Sequence, residues 1–233
     1  MMPTFNLIMF DLDGTLVETG LEIGDAVNDT LGRFELPEVR QTQVNDWIGH
    51  GTRELLIQAW AFSSQQEVAA VRASPMLPQI NAEFDGHYQR RCGTRSHLYP
   101  LVREVLEDLH RQGVRLAVVT NKESRFTQRV LDAHQLTPYF DCVISGDSLP
   151  TKKPDPAGAL SCLAQFDVPA DQALFVGDSS IDVATARNAG VAVWVLPYGY
   201  NLGQPIEACG ADRVIQDFGA LQVSAAVMRA RAG

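Results

Sequence analysis

From Pro100 onward the chain alternates short, unbroken apolar runs with segments of helical periodicity, and this alternation restricts the fold more than any other feature. The runs Leu116-Ala117-Val118-Val119, Cys142-Val143-Ile144, Leu174-Phe175-Val176 and Val191 to Leu196 contain no polar position. Between them, residues 101–109 carry an apolar stripe that stops at Gly113, and helices are expected over 125–136, 157–166 and 180–189, the last ending at Gly190. A short Arg213-Val214-Ile215 run follows. A strand that is apolar at every position is buried on both faces, and that happens where helices cover a parallel sheet on both sides. The expected fold is therefore α/β: a Rossmann-like parallel sheet core. The apolar run Phe5 to Phe10 supplies its first strand.

Residues 17–94 interrupt this pattern. Ile23, Ala26, Val27, Leu31 and Phe34 recur at helical spacing up to Pro37, and Leu55, Leu56, Ala59 and Trp60 do so behind Gly49-His50-Gly51. Further helical segments run over about 65–73 and 77–91. No strand is expected between Glu18 and Arg91, so the segment reads as an inserted all-helical domain. The division is a core of 1–16 and 95–233 with a helical insert of 17–94.

Ligands of such sheets bind at the carboxyl ends of the strands, and those ends carry the chemistry. The first strand runs into Asp11-Leu12-Asp13-Gly14-Thr15. Side chains two apart in extended chain share a side, so Asp11 and Asp13 face one volume and repel unless a cation or proton intervenes. Thr120-Asn121 follows the second strand, Lys152-Lys153-Pro154-Asp155-Pro156 the third, and Gly177-Asp178-Ser179-Ser180-Ile181-Asp182 the fourth. Each alone has a structural reading: Thr120 as a helix cap, Lys153 as a solvated lysine, Asp178 and Asp182 as a cap and a dipole partner. Four such groups at four strand ends are harder to attribute to capping. Carboxylates with a lysine, a hydroxyl and backbone amides suit Mg²⁺ and a phosphoryl group in transfer, and a carboxylate can act as the nucleophile.

Nineteen basic against 28 acidic residues give a net charge of −9, which argues against a nucleic-acid partner. The three lysines, Lys122, Lys152 and Lys153, all fall in two short loops. The four cysteines have no paired spacing, no run reaches membrane-spanning length, and the N-terminus lacks a signal-peptide pattern. The expectation is a cytoplasmic protein without membrane contact, monomeric or homodimeric.

The ordered motifs FDLDGT, VVTN, KKPDP and VGDSSID, spanning residues 10–182, resemble those of the haloacid dehalogenase superfamily in its magnesium-dependent phosphatase branch. WIGHGTRELL at 47–56, TNK at 120–122 and PYGYNLGQPI at 197–206 resemble bacterial phosphoglycolate phosphatases within it. The resemblance implies the haloacid dehalogenase fold with the insert as a cap. It implies Asp11 as nucleophile, Asp13 as general acid and base, Thr120 and Asn121 as phosphoryl ligands, and Lys153, the lysine that immediately precedes the proline, as charge partner of Asp11. Asp11, Asp178 and the backbone carbonyl of Asp13 would hold Mg²⁺, with Asp182 supporting. Glu18-Thr19 and His50 depart from the family pattern, which leaves substrate choice open.

A small phosphorylated metabolite is the expected substrate, 2-phosphoglycolate first, with His50 and Arg53 as candidate readers of its carboxylate or as ordinary surface residues. A phosphatase or phosphomutase for a sugar phosphate is the alternative. A dehalogenase would not need Asp13, Asp178 and Asp182, and a phosphonate hydrolase would need a lysine that residues 17–99 lack.

Overall fold

The computed structural model describes residues 5–222. The chain enters as β1 (Leu7–Phe10) and leaves the sheet through β2 (Val17–Glu18). Five helices follow: α1 (Gly20–Arg33), α2 (Gln41–Trp47), α3 (Thr52–Ser64), α4 (Val68–Arg72) and α5 (Leu77–Arg91). After β3 (His97–Leu98) come α6 (Val102–Arg111), β4 (Arg115–Val119), α7 (Ser124–Ala133) and β5 (Cys142–Ile144). The chain then runs through α8 (Ala157–Phe166), β6 (Ala173–Gly177), α9 (Ser180–Ala189), β7 (Ala192–Val195) and β8 (Arg213–Val214).

Six strands form one parallel sheet in the order β5-β4-β1-β6-β7-β8. From β1 the chain builds outward to β4 and β5, then crosses back to β6 on the other side. The direction of winding thus reverses between β1 and β6, and the crevice at such a reversal is where a doubly wound sheet binds its ligand. Alternation along β1 sorts its side chains between two apolar layers. Leu7 and Met9 pack with Ala159, Cys162, Val183 and Ala186 under α8 and α9. Ile8 and Phe10 join the other layer, where Phe10 stacks on Phe218 at 5.8 Å. That second layer continues without a break through Leu16, Ile23, Leu31, Leu56, Phe84 and Tyr88 into the helical segment.

Two features depart from the sequence expectation. Glu18 lies in a strand: β2 pairs antiparallel with β3, Val17 opposite Leu98 and Glu18 opposite His97, so the chain segments leaving and re-entering the core are tied together. Helix α2 was not anticipated because QTQVNDW buries only Val44 and has no apolar stripe. The return segment is also fastened by Glu22 of α1. Its buried carboxylate accepts the backbone N–H groups of Gly93 (2.9 Å), Thr94 (3.2 Å), Arg95 (3.3 Å) and Ser96 (3.2 Å).

Candidate active site

Asp11 follows β1, where its N–H donates to the Val176 carbonyl of β6 at 3.0 Å. That bond sets its side chain beside Asp178, which follows β6. The turn between Asp13 and Thr15 has to be glycine: Gly14 has φ +86°, and a Cβ there would lie 2.3 Å from Asp178 Oδ2. Thr15 Oγ1 donates to Asp178 Oδ1 and the Tyr200 N–H donates to Asp178 Oδ2, so both oxygens of this acid are oriented by the protein. Gly199 leaves the room for this approach, since a Cβ there would come within 2.1 Å of Asp178.

Asp182 is fully buried beneath the site. Its Oδ2 accepts the N–H of Asp178 at 3.2 Å, the N–H of Ser179 at 3.0 Å and the hydroxyl of Ser179 at 2.6 Å, a reciprocal cap on α9. Its Oδ1 receives Lys153 Nζ at 2.7 Å, and the same ammonium lies 2.8 Å from Asp11 Oδ1. Oxygens of Asp11, Asp178 and Asp182 all lie within 4.8 Å of one another.

The electrostatics follow from that crowding. Burial raises the Asp11 carboxyl to about 6, a rise that Lys153 opposes and that Asp182 and Asp13 reinforce. Burial, then Asp182 and Asp11, push Asp178 well above the ordinary carboxyl range. Burial works against the charge on Lys153, but Asp11 and Asp182 outweigh it and hold the ammonium above the usual lysine range. Three carboxylates against one ammonium leave a surplus of negative charge among hard oxygen donors. The donor set fits a divalent cation of the Mg²⁺ kind, with Asp11 and Asp178 at the cavity and Asp182 already occupied by protein donors.

A small cavity of about 30 Å³ opens above these groups. Asp11, Asp13, Thr120, Asn121, Lys122, Asp178, Ser179 and Tyr200 line it from the sheet side, and Ile23, Ile48, Gly49, Gly51, Thr52 and Leu55 from the helical segment. Lys153 and Asp182 stand behind this lining. Thr120 Oγ1 accepts the Lys122 N–H at 3.3 Å and keeps its own proton to donate. Asn121 Nδ2 donates to the carbonyls of Gly49 (2.9 Å) and Lys153 (3.0 Å), so its amide joins the helical segment to the core.

His50 and Arg53 are exposed and outside this lining; His50 borders a separate groove with Trp47, Glu54 and Lys152. Lys152 Nζ donates to the His50 carbonyl at 2.6 Å. Asp13 turns its carboxylate away from the acid cluster, toward Thr19 Oγ1 (2.7 Å) and Lys122 Nζ (2.9 and 3.0 Å). Lys122, Thr15 and Tyr200 lie inside the motifs TNK, FDLDGT and PYGYNLGQPI, but sequence reasoning gave none of them a role. The scarcity of lysine and the TNK motif were the signals for Lys122. The motif around Tyr200 does not show its partners: its hydroxyl donates to Glu18 Oε1 at 2.7 Å and accepts the Gly20 N–H at 2.8 Å.

Among the described residues no helix is long and apolar enough to cross a membrane. A family profile described as haloacid dehalogenase-like hydrolase matches residues 8–196. Phosphoglycolate phosphatase of Vibrio cholerae is 39% identical over 221 residues, covering 94% of this chain and 96% of its own. Phosphoglycolate phosphatase of Pseudomonas fluorescens is 40% identical over 216 residues, covering 92% of this chain and 78% of its own. The crystal structure of a predicted phosphoglycolate phosphatase from Haemophilus somnus superposes with a TM-score of 0.88 at 35% identity, covering 96% of this chain and 100% of that one. With the parallel sheet and the acids at its reversal point, these likenesses place the chain in the haloacid dehalogenase-like hydrolase family.

Proposed function

We propose that this phosphoric monoester hydrolase converts 2-phosphoglycolate to glycolate and phosphate with Mg²⁺, through a phosphorylated Asp11. The observation that carries the reading is that Asp11, Asp13 and Asp178 line one small cavity while Lys153 backs Asp11 at 2.8 Å. Relatives that cover most of this chain and carry the name phosphoglycolate phosphatase support the substrate.

An Asp11 oxygen attacks phosphorus, forming the acyl phosphate as the bond from phosphorus to the ester oxygen breaks. Asp13 gives a proton to the departing alkoxide. Asp13 then takes a proton from water, whose oxygen attacks phosphorus and releases phosphate from Asp11. Lys153 keeps Asp11 anionic against its burial, and Thr120 with the backbone of Asn121 binds the phosphoryl oxygens. Asp11, Asp178 and the Asp13 carbonyl would hold the cation, which supplies positive charge to the phosphoryl group. Asp182 fixes Lys153 and the Asp178 turn. The insert of residues 17–94 acts as a cap that excludes water from the reacting groups.

A panel of phosphate esters assayed with Mg²⁺ tests this. The expected outcome is the highest kcat/KM for 2-phosphoglycolate and no turnover in EDTA. A sugar phosphate ranking first would give the alternative substrate class.

A further inference from the structure

Lys122 has an environment that the reaction above does not use. Its ammonium is buried and makes three bonds: 2.9 and 3.0 Å to the two oxygens of Asp13, and 2.6 Å to the hydroxyl of Tyr88. A lysine has three N–H donors and no acceptor, so none is left for a ligand. Tyr88 comes from α5 of the insert and is itself locked in place. Its ring lies 4.5 Å from that of Phe126 on α7 and 5.5 Å from that of Phe84, with Lys122 Nζ 4.9 Å from its centroid.

A carboxylate at the end of an aspartate turns easily about its last torsion. Thr19 holds only Oδ1 of Asp13. Among the described residues, Lys122 alone is bonded to Oδ2, and it takes Oδ1 as well, which fixes the carboxylate plane. Burial works against the Lys122 charge, but Asp13 outweighs it.

We propose that Lys122 is a positioning residue for Asp13, set in place by the Tyr88 hydroxyl, so that the acid and base of the reaction is aimed only while α5 is docked on the core. This rests on the assignment of Asp13 made above. It makes the cap a part of the proton-transfer apparatus as well as a cover.

The test compares Tyr88→Phe and Lys122→Met with Asp13→Asn, all with Mg²⁺, using p-nitrophenyl phosphate in a stopped-flow instrument. Nitrophenolate leaves without needing a proton, so the burst reads the attack by Asp11. The steady state reads the hydrolysis of the acyl phosphate, which needs Asp13. Misaiming a reacting group by about 1 Å costs on the order of 10²-fold. The expected result is therefore kcat down about 10-fold in Tyr88→Phe and about 100-fold in Lys122→Met, with KM within about threefold and a burst near one product per site. Tyr88→Phe removes one oxygen and keeps the ring stack, so it reports even where Lys122→Met fails to fold.

A raised KM with unchanged kcat would make Lys122 a substrate ligand and overturn the proposal. So would a burst lost in proportion to kcat, which marks general disorder of the site. Wild-type kcat in both variants beside a crippled Asp13→Asn would also reject it while leaving the acid-base assignment standing. An Asp13→Asn enzyme with full kcat would bring down that assignment and the positioning role together.

Discussion

Lys153 Nζ lies 2.8 Å from Asp11 Oδ1 and is buried behind the cavity wall that Asp11 lines. The cation therefore sustains the charge of its neighbour without standing where a ligand binds. Asp11 remains crowded by Asp178 and Asp182, with oxygens of all three inside 4.8 Å, so the nucleophilic role proposed for it comes at the expense of the fold.

The first prediction follows from that conflict. Asp11→Asn removes one of three clustered acids and should leave the metal-free melting temperature equal or higher. Turnover should fall by on the order of 10⁴-fold or more, as losses of a nucleophile do elsewhere. Thermal melts in EDTA beside steady-state assays check both halves. A variant that is active, or one that melts well below wild type, contradicts the assignment.

The second concerns pH and metal. The Asp11 carboxyl stands at about 6 in the fold against an ordinary 3.8, raised mainly by burial, and Asp178 moves the same way. An acid whose pKa is higher in the folded state favours folding below its ordinary value and withdraws that support as pH rises toward the folded value. The metal-free protein should thus lose stability between about pH 4 and 6. A divalent cation binds the ionised acids and restores it, so the rise in Tm on adding Mg²⁺ should be small at pH 5 and larger at pH 7.5. An equal or opposite trend would exclude Asp11 and Asp178 as the metal ligands.

Much of the core was legible because its signals are local. Asp11 and Asp178 stand at the ends of runs so apolar that burial on both faces was the one consistent reading, and a parallel sheet covered by helices followed from the alternation. The reversal point between β1 and β6 then brings the two acids together. What was illegible depends on contacts between distant residues. Lys122 meets Tyr88 across 34 positions and Asp13 across 109, and Glu22 reaches Gly93 across 71. A glutamate in a helix pattern reads as a solvated residue, and only the folded path of residues 93–96 shows it accepting four backbone N–H groups. His50 and Arg53 were singled out for lying beside glycines, but proximity in sequence did not decide which side chain faces the cavity.

Glu22 gives the third prediction. Glu22→Ala strands the N–H groups of Gly93, Thr94, Arg95 and Ser96, which lie where the chain re-enters the core. Losing bonds to a buried charge costs about 3 kcal/mol, and for a chain of this size that lowers Tm by roughly 6–12 °C. Because the site itself is untouched, kcat at 20 °C should stay within about threefold, a surface-like outcome being a Tm shift below about 2 °C.

The last prediction concerns selectivity. Leu55 is buried on α3 and lines the cavity opposite the acids, whereas Arg53, two residues earlier, is exposed and does not. If the size of the closed cavity chooses the leaving group, shortening Leu55 admits larger esters. Leu55→Ala should raise kcat/KM for a hexose phosphate relative to 2-phosphoglycolate by about 10-fold, within the range that apolar pocket volume controls. It should also cost about 2–5 kcal/mol of stability, as buried Leu→Ala changes do. Arg53→Ala should leave the same ratio within about threefold, since loss of an exposed side chain opens no space in the cavity. The decisive measurement is the pair of ratios. A large selective loss on 2-phosphoglycolate in Arg53→Ala would show that this arginine swings inward to meet the carboxylate, and recognition by charge would then replace recognition by volume.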